Sequence, residues 1–138
     1  MRHADAPRVA TLTTQLGYPV APDELARRLA DVRTHDDHEL LVAVDSGDAA
    51  IGWIHVSRHA GLEVADLAVI HGLVVDEPAR SAGIGKALVD AAEAWARAAG
   101  ATIIIARVRS TRQRAHRFYE RSGYVEAKVS HVFEKRLV

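Results

Sequence analysis

The chain has 138 residues, 49% of them apolar and 26% charged, as expected of a folded domain with its own hydrophobic core. Eighteen Lys and Arg balance eighteen Asp and Glu, so no charge excess points to nucleic acid or an anionic membrane as partner. The absence of Cys excludes disulfides, thiolate catalysis and Cys-based zinc sites.

Residues 5–16 place Val9, Leu12 and Leu16 at helical spacing, with Asp5 as predicted N-cap and Gly17 after the last turn. Pro22 opens a second helix, PDELARRLADV, with Leu25, Leu29 and Val32 on one stripe. After the polar break THDDHE come two predicted strands, LLVAV (40–44) and AIGWIHV (50–56), joined by a turn at Asp45 to Asp48. Residues 61–75 hold one longer strand or two short ones, and Gly72 inside them suggests a bulge or a close backbone approach. The strongest helix follows a glycine stretch and carries Ile84, Leu88, Ala91, Trp95 and Ala99 on its apolar face before Gly100 ends it. TIIIAR (102–107) reads as a central, buried strand. TRQRAHRFYERSG reads as a shorter helix ending at Gly123, and YVEAKVSHVFEKRLV supplies one or two final strands. The order predicts a single α/β (α+β) domain over residues 1–138, with a mixed, mostly antiparallel sheet flanked by about four helices. No apolar run approaches a membrane span, and MRHADAPRVA lacks the apolar stretch of a signal peptide, so a cytoplasmic location is expected.

The stretch VVDEPARSAGIGKALV (74–89) carries the most chemistry. Glycines opening a helix suit a phosphate, because the first N–H groups are unpaired and the helix dipole favours an anion. An ATP-type P-loop is excluded: Ala87 follows Gly85-Lys86 where Ser or Thr would hold magnesium, and Arg80 stands at the first glycine. A dinucleotide fingerprint fails as well, since Leu88 occupies the third glycine position. What remains is R-x-x-G-x-G, met by Arg80, Ser81, Ala82, Gly83, Ile84 and Gly85 and continued by Lys86. The pattern suits a pyrophosphate held without metal; an empty tight turn is the alternative.

With GLVVDEPARSAGIGKAL, AEAWARAAGA and AHRFYERSGY in this order and spacing, the chain resembles the GCN5-related N-acetyltransferase superfamily over nearly its whole length. The resemblance implies acetyl-CoA as co-substrate, with its pyrophosphate on the Arg80–Lys86 stretch. It also implies pantetheine contacts from Leu73, Val74 and Val75, where a splayed strand pair opens a slot for the thioester. Tyr119 matches the family tyrosine that donates a proton to the departing thiolate, a task a phenol can perform for a thiol of pKa about 8.5. Ala115 and Phe118 lie on the cofactor-facing part of the same helix. Arg112 stands where many relatives have Asn, and is expected to reach a phosphate of coenzyme A or to face solvent.

An alkylamine acceptor with a pKa near 10.4 needs roughly 4.6 kcal/mol to be neutral at pH 7. Many relatives carry a Glu four residues ahead of the Leu73 position, but this chain has Val69 there. Strand alternation puts Val69, His71, Leu73 and Val75 on one side apart from a bulge, which makes His71 the candidate base. A histidine that merely hydrogen-bonds a neighbour is the bland alternative. His55, His59 and Glu63 are further candidates for the acceptor cleft. VIHGLVV is similar to aminoglycoside 6'-N-acetyltransferases. RAHRFYERSGY with SHVFEKRL is similar to aminoalkylphosphonate N-acetyltransferases, which are linked to a divalent metal. HDDHE (35–39) reads as a solvated acidic turn, and no metal is predicted.

The sequence thus points to an acetyl-CoA-dependent N-acetyltransferase for a small primary amine, acting by direct attack in a ternary complex. The alternatives are acetylation of a protein N-terminus or lysine, and a non-catalytic acyl-CoA-binding regulatory module. The family's first strand has only Met1 to Ala4 available, so it is expected to be short or missing. A homodimer is expected to be common to the superfamily, and the apolar tail is a candidate contributor.

Overall fold

The predicted alternation and helical periodicity appear almost element for element in a computed structural model, which describes residues 1–64 and 66–138. The predicted strand segment 61–75 thus includes one position, Ala65, outside the described residues. Contacts divide the chain into two units, Met1–Arg107 and Val108–Val138.

In the first unit, helices α1 (Ala6–Gln15) and α2 (Pro22–Val32) precede three antiparallel strands, β1 (His38–Val44), β2 (Ala50–His59) and β3 (Leu67–Val75). Helix α3 (Ile84–Ala98) then leads to β4 (Ile103–Ala106), which lies parallel to β3. A parallel pair needs such a crossover. The sheet order is β1-β2-β3-β4, a mixed and mostly antiparallel sheet as predicted. The β1–β2 turn is fixed by Asp45, whose carboxylate accepts the backbone N–H groups of Gly47 and Ala49 at 2.9 and 3.0 Å. His3–Asp5 form a 3-10 turn ahead of α1. Asp5 stands at the N-cap of α1 as expected, but its carboxylate makes no capping hydrogen bond there and turns back to accept the Arg2 N–H at 2.6 Å.

Helices α1 and α2 cover one face of the sheet. Val9, Leu12, Ala50 and Val74 are buried there, with Leu16, Leu25, Val42 and Trp53 packed against them. Each fully buried side chain of this size contributes about 1.5–3 kcal/mol. Helix α3 covers the opposite face, where Leu88 and Ile84 come within 3.2 and 3.5 Å of the space a Cβ on Gly52 would take. Its buried stripe is Leu88, Val89, Ala92 and Ala96, whereas Ala91 is exposed. The predicted stripe is therefore rotated. Burying Val89 beside Leu88 removes more apolar surface from water than burying Ala91 does.

Two further expectations are corrected. β4 is not central: among the described residues it pairs only with β3, and Ile103 is 50% exposed. A continuous β-branched run indicates a strand but does not count its neighbours. The final strands do not form either, since residues 124–138 carry no helix or strand and Val132 and Phe133 are more than nine-tenths exposed. The consecutive charges Glu134, Lys135 and Arg136 interrupt the alternation, and a strand without a partner is not stable in water. The second unit holds α4 (Gln113–Arg121), followed by Gly123 at a positive φ of 88°.

Candidate active site

The phosphate-type motif lies between the end of β3 and α3. The chain leaves β3 at Asp76, whose N–H donates to the Ile51 carbonyl at 2.7 Å. The Asp76 carboxylate accepts the Gln15 amide at 2.8 Å and the Arg8 guanidinium, so α1 fixes this corner. The Gln15 hydrogen bond, with Arg8 beside it, holds the Asp76 carboxyl below the usual carboxylate range. A 3-10 turn at Glu77–Ala79 follows, then Ser81 at φ 69° and Gly83 at φ 79°. Gly83 is the N-cap residue of α3, in the left-handed region where glycine carries no Cβ penalty. No side chain caps α3, so its first N–H groups face outward, unclaimed by a capping group. Arg80 donates from Nε to the Val75 carbonyl at 3.0 Å. Lys86 bonds Asp90 one turn on at 2.6 Å, along the exposed side of α3.

The strand beside this turn has an open edge. Pairing of β3 with β4 stops at Ile70 opposite Ala106, while β3 runs on to Val75. Hydrogen bonds to an antiparallel neighbour come from alternate residues. Asp76 bonds Ile51, so Val74 and Gly72 turn their main-chain groups to β2, and Leu73 and Val75 turn theirs to the open edge. The Arg80 bond to the Val75 carbonyl agrees with this alternation. The main-chain groups of Leu73 and Val75 thus lie on the open edge, whereas the main chain of Val74 faces β2 and its side chain is buried in the core.

His71 is the extra residue of a β-bulge. His55 pairs with Gly72 and Val56 with Ile70, so His71 has no partner in register. Gly72 is also a point of close approach, since a Cβ there would lie 2.7 Å from the Trp53 ring. Both expectations for Gly72 hold together. The bulge breaks the expected alternation: Val69, opposite Ser57, shares a face with His71, while Leu73, opposite Ile54, faces the other way.

On that face His71 meets two more histidines. His71 Nε2 is 2.6 Å from Ser57 Oγ, and His38 Nδ1 is 2.8 Å from His55 Nε2. The His55 and His71 ring centroids are 4.5 Å apart. Burial, and then the neighbouring His71 and His38, push His55 down to about 4. Burial first, with His38 and Arg107 adding to it, lowers His71 as well. Both shifts favour the neutral imidazole, which keeps a lone pair available. His59 ends β2 and is exposed, as is Glu63, and neither joins the group. Only the first part of HDDHE is a turn, with exposed Asp36 and Asp37, while His38 and Glu39 open β1 and His38 belongs to the cluster. Sequence reasoning did not single out His38. The signal was the hairpin register, which sets Leu40 opposite His55 and His38 two pairs further on, opposite Ser57. A shallow cleft of about 320 Å³ beside His38 is lined by Met1, Val32, Arg33, Glu39 and Leu40.

In the second unit, Ala115, Phe118, Tyr119 and Ser122 are all partly buried along α4. Tyr119 sits edge-on between Phe118 and Tyr124, with ring centroids 5.2 and 5.3 Å away. Burial pushes its phenol up to about 12, with the Arg112 charge opposing. Arg112 is exposed at the N-cap of α4.

A turn with uncapped N–H groups beside an open strand edge suits the binding of a phosphate-bearing thioester. Comparison with known proteins agrees. A model of the acetyltransferase (GNAT) family matches residues 7–124. The aminoalkylphosphonate N-acetyltransferase of Salmonella typhimurium is 33% identical over 117 residues, 84% of this chain and 73% of that protein. The aminoglycoside antibiotic 6'-N-acetyltransferase of Acinetobacter baumannii has the same fold, with a TM-score of 0.86 at 20% identity over 100% of this chain and 96% of its own. The aminoglycoside N-acetyltransferase AAC(6')-Iy, solved with a bisubstrate analogue containing CoA, superposes with a TM-score of 0.85 at 19% identity over 99% and 95%.

Proposed function

The chain belongs to the acetyltransferase (GNAT) family, and we propose that it transfers the acetyl group of acetyl-CoA to the primary amine of a small molecule, by direct attack in a ternary complex. The observation that carries this reading is the uncapped start of α3 behind Arg80–Gly83, next to the open edge of β3. The pyrophosphate lies against the N–H groups from Ser81 to Lys86, where the helix dipole favours it. The pantetheine arm runs along the main-chain groups of Leu73 and Val75. The Val75 N–H polarises the thioester carbonyl as the neutral amine attacks its carbon. The C–S bond then breaks, the thiolate takes the Tyr119 phenol proton, and the proton lost from the newly acylated nitrogen returns through solvent to the phenolate. With no Cys in the chain, no cysteine acyl-enzyme takes part. The small-amine acceptor is supported by the relatives, whose names specify aminoalkylphosphonates and aminoglycosides.

The test is thiol release from acetyl-CoA with a panel of aminoalkylphosphonates, aminoglycosides and peptides bearing a free N-terminus or lysine. Turnover with one of the small amines and none with the peptides is expected. Turnover confined to peptides would transfer the reading to protein acetylation. Tight acetyl-CoA binding with no turnover on any amine would favour a regulatory module.

A further inference from the structure

Three imidazoles from three strands meet on the α1–α2 face of the sheet, and acetyl transfer as described above uses none of them. His38 opens β1, His55 lies mid-way along β2, and His71 is the bulged residue of β3. One nitrogen from each ring lies within 4.8 Å of the other two. The His38 and His71 rings are stacked, with centroids 5.9 Å apart and planes 13° from parallel. A β-bulge is what turns His71 into this group, and without it His71 would pair opposite Val56 on the α3 face.

Mutual hydrogen bonding does not account for such a cluster. A neutral imidazole has one donor and one acceptor, and the His38–His55 contact uses one of each between them. Three imidazolium cations this close would repel one another, so charge does not hold the cluster together. A cation that accepts lone pairs satisfies all three rings at once.

We propose that His38, His55 and His71 bind a divalent transition-metal cation of the zinc, cobalt or nickel class through one ring nitrogen each. Imidazole suits these borderline ions, whereas magnesium and calcium require oxygen ligands. Metal–nitrogen distances of about 2.1 Å set tetrahedral ligand nitrogens about 3.4 Å apart. The 2.8 Å His38–His55 pair therefore opens slightly and the wider spacings close, on the scale of ring rotations. One outer partner is in place, Ser57 Oγ at 2.6 Å from His71 Nε2, and Asp37 Oδ1 lies nearby, 3.8 Å from His38 Nε2. Groups of this kind orient metal-binding imidazoles. Three ligands leave at least one coordination position for water or a donor atom of another molecule. His71, expected from its sequence position to act as a base, is on this account a ligand.

The test uses the full chain, stripped with a chelator and titrated with zinc by calorimetry and with cobalt by its visible d–d absorption. One equivalent is expected to bind, with tetrahedral-type cobalt bands. His71→Ala, at an exposed position, is expected to weaken binding at least about tenfold, while His59→Ala leaves it unchanged. Should His71→Ala fail to fold by circular dichroism, imidazole NMR of the wild-type chain decides, since zinc must shift the ring signals of His38, His55 and His71. Equal affinity of wild type and folded His71→Ala would overturn the proposal. So would zinc that shifts other histidines and leaves these three unmoved.

Discussion

At Tyr119 a single hydroxyl carries the departure of coenzyme A in the proposed reaction. Burial raises its pKa to about 12, so it holds its proton at every pH at which the acceptor amine becomes neutral. Tyr119→Phe is expected to lower kcat by about 100-fold or more with acetyl-CoA affinity within a few-fold of wild type, measured by thiol release and calorimetry. The direction of the shift also fixes the pH profile. The rate should climb as the amine deprotonates, with no fall due to Tyr119 until about pH 10 or above. A descending limb near pH 8 in wild type, lost in Tyr119→Phe, would contradict the raised pKa, and an unchanged kcat in Tyr119→Phe would contradict its role as acid. Gly72 offers a packing test. Its missing Cβ leaves room for the Trp53 ring, so Gly72→Ala should cost about 1–3 kcal/mol of stability in urea unfolding. Trp53 Nε1 is buried without a hydrogen-bond partner among the described residues. Trp53→Phe should therefore be tolerated and recover part of the Gly72→Ala loss in the double variant. Tyr119 and Gly72 were legible in the sequence, one through its motif and one as a glycine inside a strand. His38 was not, because its partners lie seventeen residues and more away along the chain.

At the scale of the element, the turn from β3 into α3 combines an N-cap glycine at φ 79° with an arginine tied to the strand it follows. Nothing lies within 4 Å of a Cβ on Gly83. Gly83→Ala should thus lose only the left-handed strain, about 1–2 kcal/mol, while the fold by circular dichroism persists. Its larger effect should be on acetyl-CoA, whose dissociation constant rises as the backbone withdraws from the pyrophosphate. Arg80→Ala should raise the KM for acetyl-CoA about tenfold, a loss of about 1.4 kcal/mol, with the KM for the amine unchanged. An equal rise in both would mean that Arg80 only braces the turn. The helix itself was readable from periodicity, but its facing was not: Ala91 and Ala92 look alike in sequence, and the sheet buries Ala92. The bulge at His71 was foreshadowed by Gly72. Its effect on parity was not, since one extra residue moves the following side chains to opposite faces.

For the whole molecule, element order, strand direction and mixed sheet were legible in the first unit, because alternation, helix stripes and turn residues agree there. The edge position of β4 and the irregular 124–138 segment were not. Both depend on which strands find partners, and a run such as TIIIAR does not encode that. The donor was read from a contiguous motif, whereas the acceptor side is assembled from separate strands. Among the described residues no helix is long and apolar enough to cross a membrane. The central claim is direct acetyl transfer from acetyl-CoA to a small amine with both bound at once. Its most direct test is the initial rate of coenzyme A release over a grid of acetyl-CoA and amine concentrations, with the acetylated amine confirmed by mass spectrometry. Reciprocal plots that intersect, with one acetylated amine formed per coenzyme A released, are the expected result. Parallel plots, or coenzyme A release without acetylated amine, would contradict it.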